Sequence, residues 1–316
     1  MRYLLGIDGG GTNSRLLAVD ERGNKIGASR GKSTNVESNS PSVVLHNLKL
    51  LLNSFLSTYG VKPEDCAGIC FGTAGVDSET TRRTIEQMLE GLPLNCKKKV
   101  VNDAVIALYA NTRGKPGVML ISGTGSIAYG INGERRIWRA GGFDYLVGDE
   151  GSAYWVARRG LTAALRAYDE TGEPTCMLND FCKHLRLHSA DEIVDYVYSH
   201  NKSDLASLSI VVSEAAGKGD PMAVKIMDEA AQELACLVRT VLRKLSMSGG
   251  AYPLLLGGGF LLHDARLRER LISLLAREEP ALHIAQMKNK AEWGAIYMAA
   301  ELAGIEWPET EKSGTE

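Results

Sequence analysis

The sequence predicts an α/β protein made of two similar halves. Strand-like apolar runs alternate with helical periodicity along the chain, the pattern that packs helices around a sheet. A hairpin with a glycine-rich turn opens the chain between Leu4 and Leu17, LLGIDGGGTNSRLL. An apolar strand, a glycine-hydroxyl turn and a second strand recur between Val118 and Ile131, VMLISGTGSIAYGI. Two such hairpins, each opening an α/β half, indicate a duplicated architecture with a ligand held between the halves.

The overall composition is that of a globular protein large enough for two domains. The chain has 316 residues, of which 44% are hydrophobic and 23% are charged. A formal net charge of -2 gives no field that would draw it to nucleic acid or anionic membrane. No apolar run approaches the ~20 residues that span a bilayer, and we expect a cytoplasmic protein without a signal peptide. Most of the six cysteines are expected to be buried small apolar residues.

The first hairpin has the features of a phosphate-binding turn. The glycines at 9–11 let backbone N–H groups approach an anion closely, and Thr12 and Ser14 add hydroxyl donors. Arg15 adds positive charge, and Asp8 adds a carboxylate suited to a hydrated Mg²⁺. No lysine follows the last glycine, and the chain continues as a strand, so neither a Walker A loop nor a dinucleotide fingerprint fits. An ordinary hairpin with a glycine turn is the alternative.

Strands and helices alternate through the rest of the first half. A third strand is predicted near Lys25 to Arg30, then a polar loop with Ser33-Thr34-Asn35, and a helix that starts at Ser40-Pro41. A buried strand follows at Ala67 to Phe71 and closes on Gly72-Thr73-Ala74-Gly75. The last predicted elements are a helix capped by Ser78, a short strand at Val100-Val101 that ends in Asn102-Asp103, and a helix from Ala104 to Ala110.

The second half is predicted to be richer in helix. Arg135 to Glu150 is expected to be mostly loop. Helices are predicted over Ser152–Tyr168, Ala206–Ala216 and Pro221–Leu245, with more helix between the first two. A buried strand, Leu254–Leu256, ends in Gly257-Gly258-Gly259. A helix near 265–276, a strand near 282–285 and a helix near 291–302 complete the pattern, and 308–316 is polar.

From these predicted elements we infer the limits of two domains and the class of ligand that they bind. We expect an N-terminal domain over 1–115 with helix 290–304 packed back on it, a C-terminal domain over 116–289, and a flexible tail over 306–316. Three glycine loops, each at the end of a strand, indicate one nucleotide. Two loops would take its phosphates, and Gly257-Gly258-Gly259 would take its adenosine.

Five sequence pieces occur in an order that resembles the BadF/BadG/BcrA/BcrD ATPase family, and most closely its N-acetylglucosamine kinases. That family belongs to the sugar kinase, Hsp70 and actin superfamily. The resemblance extends to about Leu302 and implies two actin-like (ribonuclease H-like) domains with a nucleotide and sugar cleft between them. The pieces are GIDGGGTNSR, STN at 33–35, ND at 102–103, LISGTGS at 120–126 and GDEGSAYW at 148–155.

The resemblance implies an ATP-dependent kinase that phosphorylates an amino sugar at its 6-hydroxyl. N-acetylglucosamine is the expected sugar, with N-acetylmuramate and glucosamine as alternatives, and Asp103 would be the catalytic carboxylate. The expected cofactors are ATP and Mg²⁺, the metal being held by Asp8 through water. The sugar-binding residues would be Asn35, Thr73, Asp103, Gly142, Phe143, Asp144 and Asp149. The nucleotide-binding residues would be Gly10, Gly11, Thr12, Asn13, Arg15, Gly123, Thr124, Gly125, Gly257, Gly258 and Gly259.

Several of these residues have an ordinary structural alternative. Asp103 and Asp149 both precede helices, so either could be an N-cap, and Asn35 could be a turn residue. Phe143-Asp144-Tyr145 departs from the Trp-Gly that N-acetylglucosamine kinases usually carry after the double glycine. Asp144 could pair with the ammonium of glucosamine, repel the lactyl carboxylate of N-acetylmuramate, or face solvent.

Two other functions are compatible with the same superfamily. One is an ATPase that activates a CoA-thioester dehydratase by electron transfer. Its iron–sulfur cluster needs cysteines in a glycine-rich ligand loop, and no cysteine of this chain lies in one. The other is a non-enzymatic actin-like ATP switch, which gives no reason for Asn35, Asp103 and Asp149 to occur together. The expected partners are a small-molecule sugar and ATP, and a homodimer is possible.

Overall fold

The computed structural model describes residues 1–10, 13–36, 39–76 and 78–307. By its contacts the chain forms two compact units, one from Met1–Lys115 together with the chain from Lys288 onward, and one from Pro116–Met287. Each unit contains one five-stranded sheet. The predicted α/β class is confirmed. Within the described residues, no helix has the length and apolarity needed to cross a membrane.

The elements follow one another in the order that the sequence patterns predict, with additional short helices in the second unit. The strands are β1 (Tyr3–Gly9), β2 (Asn13–Asp20), β3 (Lys25–Lys32), β4 (Cys66–Thr73), β5 (Lys97–Val101), β6 (Gly117–Ser122), β7 (Ser126–Ile131), β8 (Ile137–Gly141), β9 (Pro253–Gly257) and β10 (His283–Gln286). The helices are α1 (Pro41–Tyr59), α2 (Glu79–Glu90), α3 (Asp103–Thr112), α4 (Ala153–Tyr168), α5 (Met177–Leu185), α6 (Glu192–Ser199), α7 (Lys202–Ser207), α8 (Ser209–Gly217), α9 (Pro221–Lys244), α10 (Gly259–His263), α11 (Ala265–Glu278) and α12 (Ala291–Ala303), with a 3-10 turn at Pro63–Asp65.

The two sheets have the same topology. The strand orders are β3-β2-β1-β4-β5 and, read in the matching direction, β8-β7-β6-β9-β10. In each sheet the first three strands form an antiparallel meander, and the last two run parallel to the first. The duplicated architecture predicted from the two hairpins is therefore present. The carboxyl ends of the parallel strands lie at one edge of each sheet, where ligands bind in open α/β folds.

Helix α12 returns to the first unit and packs on α3 and β1. Glycine permits the approach, because a Cβ at Gly294 would lie 1.7 Å from the carbonyl oxygen of Ile106. A Cβ at Gly6 in β1 would lie 2.6 Å from the carbonyl oxygen of Glu292. Any larger side chain at either position would push the helix away.

The second unit is built around the long helix α9. Pro221 occupies the first turn, and the Asp220 carboxylate caps the helix by accepting hydrogen bonds from the N–H groups of Met222 and Ala223. Its apolar residues recur at helical spacing and are buried against α4, α8, α11 and the sheet.

Three structural expectations were wrong. Residues 137–141 form strand β8, but they were expected to be loop. Ile137 and Trp138 are exposed on this edge strand, so the alternation of buried and exposed residues that marks a strand is absent. The predicted helix over Ala206–Ala216 is split at Leu208 between α7 and α8. Only Cys66 and Cys70 of the six cysteines are buried.

Candidate functional site

In the first unit, carboxylates gather at the carboxyl edge of the sheet. The strand register places Asp8 beside Gly72, and Gly72 beside Val101, so the ends of β1, β4 and β5 are level. Asp103 lies two residues past the end of β5. Burial, then the charges of Glu292 and Asp103, raise the pKa of Asp8 to about 6, against the lowering effect of Arg15. Asp8 and Asp103 therefore share one electrostatic environment, which a cation would stabilise.

Asp103 is the first residue of α3, but it is not the residue that caps it. Asn102 has the extended backbone of an N-cap, and its side-chain oxygen lies 2.9 Å from the N–H of Ala104. The Oδ1 of Asp103 lies 2.8 Å from the same N–H. The cap of α4 is likewise Ser152, whose Oγ accepts from the N–H of Trp155, and not Asp149. The alternative that either aspartate is simply an N-cap was wrong.

The Ser33-Thr34-Asn35 loop is fastened to the first glycine turn. The Oγ of Ser33 donates to the carbonyl oxygen of Gly10 at 3.1 Å. The hydroxyls of Ser14 and Thr34 lie 2.6 Å apart, both fully buried. Ser14 is thus occupied inside the protein, contrary to its expected use as a phosphate donor. These contacts hold the backbone on both sides of Asn35.

Asn35 in this loop and Thr73 beside it are both buried. Asn35 is 8% exposed, its N–H donates to the Oγ of Ser33, and its carbonyl oxygen accepts from Asn39. Thr73, at the end of β4, is fully buried, and its hydroxyl lies 3.2 Å from the carbonyl oxygen of Thr34. The side chain of Thr73 therefore connects the strand end to the loop that carries Asn35.

The described part of the first glycine turn consists of Gly9, Gly10 and the start of β2. Gly11 and Thr12, both predicted to bind the nucleotide, lie outside the described residues. A Cβ at Gly10 would lie 2.8 Å from the carbonyl oxygen of Asn13, so the turn itself needs glycine there. Asn13 is exposed, as is Arg15, which faces Asp8 across the hairpin register.

The second glycine turn, 123–125, is joined to the 149–153 segment by a series of hydrogen bonds. The Oγ of Ser122 donates to the carbonyl oxygen of Gly151 at 2.9 Å, and the Oγ of Ser126 donates to that of Glu150 at 2.6 Å. The N–H of Ala153 donates to the carbonyl oxygen of Gly123 at 2.9 Å. Because its neighbours are fixed in this way, the exposed Thr124 is presented on a rigid turn.

The third glycine group lies against the second turn. Parallel pairing places Gly257 beside Ile121, at the end of β6. Gly258 has φ 90°, and a Cβ there would lie 2.2 Å from the carbonyl oxygen of Ser122, so only glycine fits. Gly259 is exposed. The second unit thus brings Gly123, Thr124 and Gly125 next to Gly257, Gly258 and Gly259.

Asp149 is a buried carboxylate held in the left-handed backbone region. It is 4% exposed and has φ 62°. Its Oδ1 accepts from the N–H of Ser126 at 3.2 Å, and a Cβ added at Gly125 would lie 2.7 Å from its Oδ2. The carboxylate therefore lies directly behind the second glycine turn. Such backbone strain persists only where surrounding contacts enforce it.

Lys202 connects Asp149 to Asp144. Its Nζ lies 2.9 Å from Oδ2 of Asp149 and 2.6 Å from Oδ1 of Asp144. The hydrogen bond from Lys202 lowers the pKa of Asp144, helped by the N–H of Tyr145. Asp144 is therefore ion-paired and does not simply face solvent. Sequence reasoning missed Lys202, although a cation in the first turn of a helix opposes the helix dipole and can indicate a charged partner nearby.

The segment before Asp144 combines a constrained glycine with an exposed ring. Gly142 has φ 71°, and a Cβ there would lie 2.3 Å from Cδ1 of Ile127. Phe143 is 57% exposed, and the Arg139 guanidinium lies 4.8 Å from the centre of its ring. The backbone at 142 therefore requires glycine, and the side chains of Phe143 and Asp144 that follow it are exposed.

Asp8 fits the requirements of a hydrated Mg²⁺. Within the described residues, no three His, Cys, Asp or Glu side chains are grouped so as to hold a metal. Mg²⁺ in kinases is usually held by one or two carboxylates, by water and by the substrate phosphates. Burial, then the charges of Glu292 and Asp103, raises the pKa of Asp8, and a bound cation would offset these effects on the carboxylate.

The two five-stranded sheets have the two-domain actin-like fold that is found in solved sugar kinase structures. A solved structure assigned as an N-acetylglucosamine kinase, from Chromobacterium violaceum, matches with a TM-score of 0.71 at 20% identity, covering 96% of this chain and 99% of that one. The model of the BadF/BadG/BcrA/BcrD ATPase family matches residues 5–298, and the chain belongs to this family. The resemblance found in the sequence is confirmed.

Two relatives match over nearly their whole length. The N-acetylmuramic acid/N-acetylglucosamine kinase of Clostridium acetobutylicum is 36% identical over 303 residues, which are 95% of this chain and 98% of the relative. The N-acetyl-D-glucosamine kinase of Dictyostelium discoideum is 28% identical over 308 residues, 93% of this chain and 97% of the relative.

Proposed function

We propose that this protein is an ATP-dependent kinase that transfers the γ-phosphoryl group of ATP to the 6-hydroxyl of an amino sugar. N-acetylglucosamine is the first expected substrate. The observation that carries the proposal is the full-length similarity, at 36% identity, to a relative named for N-acetylmuramic acid and N-acetylglucosamine. The carboxylates at the edge of the first sheet supply the chemistry that such a transfer needs.

Asp103 is the proposed general base. It would accept the proton of the 6-hydroxyl as that oxygen bonds to the γ-phosphorus and the bond to ADP breaks. Its position just past β5, in the charge environment of Asp8, supports this role. Mg²⁺, held by Asp8 through water, would neutralise negative charge on the transferring phosphoryl group.

The sugar and the nucleotide are assigned to different groups of residues. Asn35 and Asp149 would bind sugar hydroxyls. Thr73 would contribute to sugar binding by holding the loop that carries Asn35. Gly142, Phe143 and Asp144 would border the sugar. The nucleotide would be bound by Gly10, Gly11, Thr12, Asn13, Arg15, Gly123, Thr124, Gly125, Gly257, Gly258 and Gly259. The domain limits, a cytoplasmic location and a homodimer also stay predictions.

A coupled ADP-release assay over five sugars tests the proposal. The sugars are N-acetylglucosamine, N-acetylmuramate, glucosamine, N-acetylmannosamine and glucose. We expect at least one amino sugar to raise ATP turnover by an order of magnitude or more, and phosphorus–carbon coupling in the NMR spectrum of the product to place the phosphate on C6. ATP turnover that no sugar changes would contradict the kinase assignment and favour an ATP switch.

A further inference from the structure

Lys202 has two carboxylate partners that differ in burial. The side chain of Asp149 is 5% exposed and that of Asp144 is 66% exposed. Lys202 lies between them and is itself 29% exposed. Burial acts to lower the pKa of Lys202, but the hydrogen bonds to Asp144 and Asp149 raise it. Lys202 is therefore positively charged at neutral pH.

The two ion pairs differ in how readily they can be exchanged. Separating Lys202 from Asp149 would leave a buried carboxylate without its cation, which is costly. Separating Lys202 from Asp144 returns an exposed carboxylate to water, and exposed pairs of this kind are weak. Lys202 thus has one fixed partner and one replaceable partner.

The replaceable partner lies on an outward-facing part of the chain. Asp144 has φ 68°, and Leu146 and Val147, which follow it, are 79% and 78% exposed. Lys202 Nζ also lies 5.1 Å from the centre of the ring of Tyr145, the next residue along the chain. Another carboxylate could therefore take the place of Asp144 without disturbing the contact between Lys202 and Asp149.

From this arrangement we propose that Lys202 is a specificity-determining residue that lets the kinase accept an amino sugar bearing a carboxylate. The carboxylate of the sugar, such as the lactyl group of N-acetylmuramate, would replace Asp144 on Lys202. A neutral sugar would leave the Lys202–Asp144 pair in place. The inference rests on the proposed function, in which Asp149 binds the sugar.

The test compares kcat/KM for N-acetylmuramate with kcat/KM for N-acetylglucosamine in the full-length protein. Lys202→Met should lower this ratio by on the order of tenfold or more, the effect of one charge-assisted hydrogen bond. Lys218→Met is the matched control, because Lys218 forms a 2.9 Å pair with Asp180 in the same unit. The control should leave the ratio unchanged.

Asp144→Asn tests the exchange from the other side. Removing the competing carboxylate should raise the same ratio several-fold, opposite to Lys202→Met, and Lys202→Arg should keep most of the wild-type ratio. If Lys202 only supported Asp149, Lys202→Met would impair both sugars equally and the ratio would stay constant. That result overturns the inference.

The two proposals fail in different ways. If the wild type phosphorylates no amino sugar, the proposed function is wrong. If it phosphorylates N-acetylglucosamine but not N-acetylmuramate, or if the ratio is insensitive to Lys202→Met, only the role of Lys202 is wrong.

Discussion

The substitution Asp103→Asn separates catalysis from folding, because the structure assigns the cap of α3 to Asn102. An asparagine at 103 keeps the oxygen that now lies 2.8 Å from the N–H of Ala104. The loss of a negative charge from the first turn costs about 0.3–1 kcal/mol. It is partly offset because Asp8 loses a like-charged neighbour. The net change in the free energy of unfolding should stay within about 1 kcal/mol, or ~2–4 °C in Tm.

The expected effect on catalysis is much larger. A carboxamide cannot accept the hydroxyl proton, and loss of a general base typically costs on the order of 10²–10⁴ in rate. That range corresponds to about 3–5 kcal/mol in activation free energy. We therefore expect kcat to fall by at least 100-fold, while the affinity for ATP and the Tm remain close to those of the wild type.

A cap variant of another helix in the same unit supplies the matched control. The Oγ of Ser78 accepts from the N–H of Thr81 at 3.1 Å and caps α2 in the same unit. Ser78→Ala should lower stability by ~1 kcal/mol and leave kcat unchanged, the reverse of Asp103→Asn. The measurements are kcat by ADP release, Tm by scanning fluorimetry and ATP affinity by calorimetry. A kcat for Asp103→Asn within about threefold of the wild type would refute the base assignment and make Asp149 the next candidate.

Three further variants test the proposed nucleotide-binding turn at 123–125 and the proposed metal-binding role of Asp8. The Cβ of Gly123→Ala would meet no atom closer than 3.8 Å, so the Tm should not change. If the nucleotide approaches this turn closely, the Kd for ATP should rise about tenfold. An unchanged Kd in calorimetry would argue against that approach. Gly125→Ala places its Cβ 2.7 Å from Asp149 and should raise KM for the sugar more than KM for ATP; a selective rise in KM for ATP would contradict this. Because the pKa of Asp8 is raised to about 6 in the folded protein, the fold favours the neutral carboxyl. The free energy of unfolding is therefore highest at low pH and falls as the pH rises through about 6 and Asp8 ionises. Without Mg²⁺, Asp8→Asn should therefore gain up to about 3 kcal/mol at pH 8 and little at pH 4; equal gains at both pH values would oppose this.

The fold could be predicted because its determinants are local in the sequence. Glycines after apolar strands, the Pro41 and Pro221 helix starts, and helical spacing each depend on neighbouring residues. Strand β8 lacks that information, because pairing with β7 stabilises it rather than its own pattern of apolar residues. The break at Leu208 is likewise not marked by a glycine or proline in the neighbouring sequence.

The candidate site was predictable only in part, for a related reason. Asp8 lies near the end of β1 and Asp103 lies just past β5, so topology alone places them at one edge of the sheet. The partner of Asp149 is 53 residues distant in sequence, and no local pattern connects Lys202 to it. For Ser14, the sequence predicted a phosphate donor that the structure does not support. A serine hydroxyl can bind a phosphate, but this one is hydrogen-bonded to the hydroxyl of Thr34, 20 residues away in sequence.

The duplicated hairpins also show how two equal folds acquire different chemistry. Ile7-Asp8-Gly9 in the first unit corresponds to Ile121-Ser122-Gly123 in the second, each at the end of the first strand of its sheet. Ser122 is fully buried and donates to the carbonyl oxygen of Gly151, so this position in the second unit is neutral and structural. Asp8 instead carries a charge that burial and neighbouring carboxylates make unfavourable. A bound cation would relieve that cost only in the first unit. We therefore propose that Asp8 and Asp103 would serve the metal-dependent part of the reaction, and that the second unit would contribute backbone donors and the Asp149–Lys202 pair.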